Sequence, residues 1–551
     1  MAEIETGETH VMKQTAETSE GAFPGRDWDQ PLSIVIQAGL IISEAHFETG
    51  RVLEGIRATI LRLESILKKT DHMYRFVLPF RPGPEHAVLE TLLDDTIWDH
   101  ISHRPQVLLI AEQGHEEPEF FPFEGEISFD IAPVAPEEAI FGYDPVDDAI
   151  IDLSNLVILV GEWEPGATTY RQGSMFELAQ VHGTTVVAVD PGTGETYELS
   201  HDDRIFETYT QLDEYNRETI PSALYHDTYR RYRKMLRTEA EKAGLPEDLI
   251  EPASDTLLPY FTRTQLLARR YRRYYTMAGT CVSLLSALAV ATITCQTLFF
   301  PDVIWLIWLE VVEILCIIIL MAASRHGDFH RKWIDYNFLA ERIRAAFFLC
   351  IVCIHCESSD TPPHMSLSNR PNDWMVIAFE SIMETRPISY CRLDIPFAPM
   401  KKFFRSAWIS NRLRFYEKAS AHASRTYIIM LILGEVLFVG TLIFAVMHAV
   451  GLGHAPGMPG GLNASLALAY FTITLPAMGS AIAAIRLQRE YLRNGERYAH
   501  VVRHLTAIRS NVRHAHSMED LCSLLEEMNE LTLREQQNWR IVFRFRRIEA
   551  M

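Results

Sequence analysis

MAGTCVSLLSALAVATITCQTLFFPDVIWLIWLEVVEILCIIILMAA, residues 277–323, is the stretch on which the fold turns. It holds two apolar runs, Met277–Phe300 and Val303–Ala323, parted only by Pro301 and Asp302. A helix that crosses a bilayer needs about 20 mostly apolar residues, and both runs are that long. The Pro-Asp break predicts a tight helical hairpin. A second pair, Tyr427–Val450 and Leu462–Ile485, is separated by the Gly- and Pro-rich HAVGLGHAPGMPGGLN at residues 448–463. The expectation is an all-α membrane module with four transmembrane helices.

The flanks predict an orientation. Neither hairpin loop carries Lys or Arg. The opposite ends carry Arg269, Arg270, Arg272 and Arg273, then Arg325, Arg331 and Lys332, then Arg425, then Arg486 and Arg489. The positive-inside rule therefore places both hairpin tips outside, and the N- and C-termini on the cytoplasmic side. The hairpins also read as copies. At an offset of about 155 residues, Arg331, Tyr336, Glu341 and Arg342 fall on Arg486, Tyr491, Glu496 and Arg497, a pattern expected of internal duplication. Three carboxylates lie inside the spans, Glu310, Glu313 and Glu435. Ionisable groups at that depth face a protein interior or a water path. They are candidates for a pore lining in a homo-oligomer, or for carboxyls hydrogen-bonded between helices.

Charge divides the chain. There are 51 Lys and Arg against 72 Asp and Glu, a net of −21. The acids concentrate before residue 261, and the second half is basic. An acidic first half argues against a nucleic-acid groove, which needs a basic stripe. A basic second half suits the anionic cytoplasmic leaflet, so the lipid bilayer is an expected partner. The polar first 30 residues read as a disordered leader, with neither the basic nor the apolar region of a signal peptide. The eight cysteines are scattered and suit buried thiols. Cys350, Cys353 and Cys356, with His355 and His364 nearby, have zinc-like spacing, but on one continuous helix they do not converge on an ion. No metal is expected.

Between residues 31 and 200 the pattern changes. SIVIQ, RFVLPF, QVLLIAE, NLVILVGEW and TTVVAVDP read as strands, flat and apolar enough for burial on both faces. Gly50–Lys69 and Glu85–Asp95 read as helices between them. This alternation predicts an α/β doubly wound, Rossmann-like domain with its ligand site at the carboxyl ends of the strands. Residues 201–260 read as a charged helical linker, 261–360 as the first two-span unit and 361–404 as a cytosolic connector. Residues 405–551 read as the second two-span unit with C-terminal helices.

The most informative stretch of that domain is DDAIIDLSNLVILVGEWEPGATTYRQGSMFELAQVHGTTVVAVDP, residues 147–191. Its Gly173-Ser174 turn opens a helix whose free N–H groups and hydroxyl can meet a phosphate or ribose. Gly173 permits close backbone approach. Glu177, one turn in, can point at the same crevice. N-capping and an acidic first turn explain the same residues structurally. Gly161 and Glu162 lie near the end of one strand and Asp190 near the end of the next, at the ligand edge. The early turn RPGPEH, with two prolines, lacks the N–H groups of a phosphate cradle.

The run Gly173, Ser174, Met175, Phe176, Glu177, Leu178, Ala179, with Asp152 ahead of the strand, resembles the SLOG and nucleoside deoxyribosyltransferase superfamily. The resemblance implies a nucleotide-derived ligand held by Asp152, Gly161, Glu162, Gly173, Ser174, Glu177 and Asp190. In the transferases the helix glutamate is the nucleophile at the sugar, so Glu177 is the catalytic candidate if the chain is an enzyme cleaving N-glycosidic bonds. In the sensors the same crevice binds a signal. HRKWIDYNFLAERIRAAFFL, with Trp333, Ala340, Glu341 and Arg344, resembles the post-membrane helix of the SLATT two-span effectors. ISNRLRFYEKASAHASRTY resembles their entry helix, and ELTLREQQNWRIVF, with Glu530, Glu535 and Trp539, their closing helix. The expectation is a membrane effector in which a cytosolic nucleotide-sensing domain controls a pore-forming or membrane-disrupting module. The resemblance further implies a bacterial inner membrane and a defence role. A membrane-tethered glycosidase and a structural or transport protein are the alternatives.

Overall fold

The computed structural model describes residues 31–42, 47–80, 83–94, 96–112, 129–134, 143–161, 175–198, 204–352, 373–385, 396–451 and 464–543. The leader assigned to residues 1–30 lies outside them. The chain divides into two compact units. Among the described residues, one comprises residues 31–219 and 373–385, the other 220–352 and 396–543.

The first unit is α/β. Its strands are β1 (Ser33–Ile42), β2 (Asp71–Pro79), β3 (Gln106–Glu112), β4 (Phe129–Val134), β5 (Leu156–Val160), β6 (Thr185–Val189) and β7 (Thr196–Glu198). They form one mixed sheet in the order β4-β3-β2-β1-β5-β6-β7. The first six are parallel and β7 is antiparallel to β6. Two strands escaped the sequence reading. β4, FDIAPV, carries Pro133, which only an edge strand tolerates well, and β7 has three residues.

The helices are α1 (Thr49–Ile66), α2 (Pro84–Leu93), α3 (Pro145–Leu153), α4 (Met175–His182), α5 (Arg204–Arg217) and, after a long excursion of the chain, α10 (Trp374–Glu384). α3 and α4 pack together on one face, where Ile41, Val77, Ile110, Val157, Val186 and Ala188 meet Ile150, Ile151 and Leu178. α1, α2, α5 and α10 pack against one another or the strands on the other. From Ala38 onward β1 is buried on both faces for this reason, and its sequence there is flat rather than alternating. Two glycines mark close approach. A Cβ on Gly39 would sit 2.6 Å from Ser154 Oγ, and one on Gly55 would sit 2.5 Å from Val189 Cγ1.

The segment read as a charged linker divides between the units. α5 buries Tyr209, Leu212 and Tyr215 in the α/β unit. Asp213, also buried, accepts from the backbone N–H of Lys69 at 2.6 Å and of Thr70 at 2.9 Å, just ahead of β2. α10, inside the segment read as a connector, returns to the same unit. Trp374 is 2% exposed against Tyr215, with ring centroids 5.6 Å apart, and Ser381 Oγ donates to Ser33 O.

The second unit is helical: α6 (Ser222–Ala243), α7 (Glu251–Phe299), α8 (Ile304–His326), α9 (Phe329–Ile351), α11 (Phe397–Phe403), α12 (Asn411–Ala449), α13 (Ala464–Arg489), α14 (Tyr491–His514) and α15 (Met518–Phe543). Four helices are long and apolar enough to cross a membrane, and they contain the four runs expected from sequence, which is compatible with an integral membrane protein. α7 has 49 residues, about 75 Å of helix, so it runs far beyond a hydrocarbon core of about 30 Å. α7 packs on α8 and α9, α12 on α13 and α14, and α7 on α13.

The repeat is present in three dimensions, in a register that the sequence pairing missed. Asp328 (φ 47°) and Glu490 (φ 45°) are the only non-glycine residues of positive φ among those described, and each joins a spanning helix to the helix that follows. The contacts around them repeat 162 residues apart. Asp328 N donates to Arg325 O and Glu490 N to Leu487 O; Lys332 N donates to Asp328 O and Asn494 N to Glu490 O. Arg331 pairs with Asp328 and Arg493 with Glu490. Tyr336 and Tyr498, also 162 apart, each sit 5.6 Å from a tyrosine of the entry helix, Tyr271 and Tyr416. The offset of 155 followed residue identities. The structural register follows the bend, whose left-handed residue costs about 1–2 kcal/mol and needs local support.

Candidate functional site

The order of the sheet reverses at β1, which has β2 on one side and β5 on the other. In such sheets the carboxyl ends of the two flanking strands part and leave room for a ligand. Ile42 ends β1, and Val160 ends β5 with Gly161 directly after it. Gly161 N donates to Val189 O at 3.3 Å, which keeps β5 and β6 in register to their ends. α4 begins just beyond this edge, and Glu177 lies in its first turn. Tyr143 OH, which precedes α3, donates to Glu177 Oε2 at 3.2 Å. Desolvation and the neighbouring carboxylate push the Tyr143 phenol up, so it is a donor at neutral pH.

The proline-rich turn ahead of α2 contributes side chains in place of a backbone cradle. Pro84 starts the helix, and Glu85, 8% exposed, accepts from Ile42 N at 3.1 Å. His86, also buried, places Nε2 2.8 Å from Pro79 O at the end of β2. A buried carboxylate at the end of β1 was not foreseen. The signal in the sequence is Glu85-His86 beyond β2, obscured by the prolines Pro82 and Pro84.

The remaining expected residues part company. Glu162, Gly173 and Ser174 lie outside the described residues, as do Cys353, His355, Cys356 and His364. Asp190 is occupied in the β6–β7 turn. Its Oδ1 accepts from Gly192 N at 2.9 Å and Thr193 N at 2.7 Å, and the Thr193 backbone bond chiefly holds its carboxyl below the usual range. Asp152 sits at the end of α3, before β5, and binds His182 Nδ1 at 3.0 Å; Asp148 binds His182 Nε2 at 2.8 Å. His182 ends α4. Asp152 therefore belongs to the amino end of β5, while Glu177 belongs to its carboxyl end, and the structure does not bring them together. Both ring nitrogens of His182 face carboxylates, an arrangement that suits imidazolium. Asp152 above all, then Asp148, outweighs desolvation and raises its pKa.

A cleft of about 420 Å³ lies on the other face of the sheet. It is lined by Thr59, Arg62, Val187, Thr196, Tyr197 and Phe206, with the Arg62 guanidinium 3.6 Å from the Phe206 ring centroid. It is separated from Glu177 by the sheet. Among the described residues, no three His, Cys, Asp or Glu side chains form a metal-holding group.

In the helical unit, Glu313 faces the interior of the first hairpin, buried, and accepts from Thr292 Oγ1 at 3.1 Å. Glu310, one turn away, is half-buried, and Glu435 is exposed on α12. The three do not line one path within the chain. A charged cluster beyond the spans joins the repeats. Glu341 of α9 pairs with Arg344 and with Arg412 of α12, both at 2.8 Å. Arg412 donates to Tyr416 OH at 3.1 Å, and Arg497 of α14 pairs with Glu535 of α15. Burial raises the Glu535 carboxyl even beside Arg497. Glu341, Arg344 and Glu535 carried the resemblance; Arg497 entered only through the repeat pairing and Arg412 only within ISNRLRFYEKASAHASRTY, because nothing in their local sequence marks either as an ion-pair partner.

No protein-family model matches the chain, and no curated protein or solved structure does.

Proposed function

We propose that the chain is a ligand-gated membrane effector. In this reading the α/β unit is a doubly wound, Rossmann-like domain that binds a nucleotide-derived ligand at the carboxyl edge of its sheet. Binding biases the helices that enter the membrane and opens a pore or disturbs the bilayer. The observation that carries it is the path of the chain. Residues 220–355, with the first hairpin, form an excursion whose two ends return to the α/β unit. They return through α5 and α10, which pack together through Tyr215 and Trp374. A ligand that shifts either helix pulls on both ends of one hairpin. Coupling of this kind requires the ligand to bind two states with different affinity.

The basic ends of the spans support a cytoplasmic α/β unit. A bacterial inner membrane and a role in conflict signalling rest on the family resemblance and are analogy. The test is full-length protein in liposomes, exposed to nucleotides, cyclic oligonucleotides, NAD and ADP-ribose derivatives, read by thermal unfolding and by ion flux. One compound that raises the melting temperature and the flux together, with both effects lost in Glu85→Ala or Glu177→Ala, is the expected result. Flux indifferent to every compound, from folded protein, sinks it.

The hydrogen bond from Tyr143 to Glu177 favours a second reading, a membrane-tethered N-glycosidase with Glu177 as nucleophile. It predicts release of free base from a nucleoside or NAD, abolished by Glu177→Gln.

A further inference from the structure

The two repeats enter the membrane in the same direction, so an axis along the membrane normal relates them. If that axis were a two-fold, the contact of α13 with α7 would be matched by one of α8 with α12. It is not: α7 packs on α13, and no comparable packing joins α8 to α12. The contact between repeats is thus head-to-tail, and an interface of that type leaves one unused face at each end.

The used face is well defined. Tyr470 of α13 meets Phe299 of α7 with ring centroids 5.9 Å apart. Arg489 Nη2 donates to Thr276 O at 3.1 Å and Thr280 Oγ1 at 3.0 Å. A Cβ on Gly279 would fall on the Gln488 side chain. This antiparallel register sets Ala287 opposite Ala481 and Thr294 opposite Thr474, and all four are buried.

The repeat carries each of these positions to a counterpart. The 162-residue offset that holds at the bend also holds in the span. Leu475 and Gly479 of α13 face α12, through Gly440 and Phe438, and their counterparts Glu313 and Ile317 are two of the three buried residues of α8, the third being Ser324 near its C-terminal end. It turns Tyr470, Thr474 and Ala481 into Trp308, Val312 and Ile319. The offset of 145 between Tyr271 and Tyr416 turns Ala287 and Thr294 into Ile432 and Val439. All five counterparts are more than half exposed. Glu435, on the border of this face of α12, is exposed too. A carboxyl at that depth is costly against hydrocarbon, which favours protein over lipid beside it.

We propose that a second copy of the chain covers these faces, with α8 of one protomer packed on α12 of the next in the manner of α13 on α7. Ile432 then meets Ile319 of the neighbour, and Val439 meets its Val312. A head-to-tail contact of this kind closes into a ring or runs on as a filament, and a ring places the spans around a common centre. The inference rests on the four helices lying in a membrane and not on the ligand reading, so it survives if the α/β unit binds nothing.

The experiment is Ile432→benzoylphenylalanine in the full-length chain. The variant is induced first in light medium and an unsubstituted chain afterwards, from a second promoter and in isotopically heavy medium, in the same cells; the native membranes are then irradiated and the products mapped by mass spectrometry. Ile432 is exposed, so the probe leaves the fold intact. Cross-links to heavy α8 close to Ile319 are expected. Cross-links only to lipid, or to heavy α12, overturn the proposal, the latter because they signify a symmetric contact. A monomeric mass for the unsubstituted chain in lipid nanodiscs overturns it equally.

Discussion

Both units bury charge, but with different chemistry. In the α/β unit the buried cations are histidines: His182 between Asp148 and Asp152, and His72 with Nε2 2.6 Å from Glu64. In the helical unit they include arginines: buried Arg412 and partly buried Arg344 on Glu341, and partly buried Arg497 on Glu535. An arginine stays charged at any physiological pH, so the helical cluster is a permanent lock between repeats. A histidine pair is conditional, because its charge titrates near neutrality. The α/β unit is therefore expected to loosen as pH rises through the neutral range, while the helical unit does not.

Four measurements break or sharpen that contrast. The largest effect is expected from Arg412→Ala, which removes the cation shared between repeats and leaves Glu341 with Arg344 alone. A broken buried pair costs about 3–5 kcal/mol, to be read as thermal unfolding of the helical signal in nanodiscs. Replacing the pair together, Glu341→Gln with Arg412→Met, is expected to restore part of the loss. Full additivity of the two changes would mean that the lock does not exist.

Next is Trp374→Ala, expected to cost about 3–5 kcal/mol as a large buried aromatic. This loss falls on the α/β unit, although Trp374 follows the first hairpin in sequence. Loss confined to the helical signal would overturn the assignment of α10.

Thr292→Val is smaller. It leaves Glu313 buried without its hydroxyl partner, at about 1–3 kcal/mol. The corresponding contact in the second hairpin is apolar, Leu475 against Gly440, so Leu475→Met is expected to cost less than about 1.5 kcal/mol. Equal losses would show that the polar pair adds nothing.

The smallest effect is the pH dependence. The folded-state pKa of His182 lies above its ordinary value and that of Asp152 below. The histidine contributes fully below its unfolded value of about 6.5 and loses its contribution as pH rises through the folded value. The aspartate contributes above about 3.9 and loses its contribution as pH falls through its folded value. The pair is thus strongest between those limits. The α/β unit should melt lower at pH 8.5 than at pH 5.5, and His182→Gln should flatten that slope.

Particular residues show how far sequence alone reaches. The flat apolar runs of β1, β5 and β6 announced a sheet covered on both faces, whereas Pro133 hid β4 and a length of three hid β7. Glu177 was legible because it opens a helix after a strand. Glu85 was not, because its value comes from Ile42, 43 residues earlier, which only strand pairing brings near. Asp152, read ahead of β5, does stand there, but local pattern marks the residues flanking a strand and not which edge of the sheet each one meets, so its separation from Glu177 was not legible.

Sequence by itself determined that four helices are long and apolar enough to span, and that an α/β domain precedes them, because hydropathy and periodicity are local sums over neighbouring residues. Tertiary structure alone decided that α10 rejoins the α/β unit, that Arg412 lies buried on Glu341, and that the repeat runs in the register of Asp328 and Glu490. Each of those depends on a contact between residues far apart in the chain, and no local sum contains such a contact.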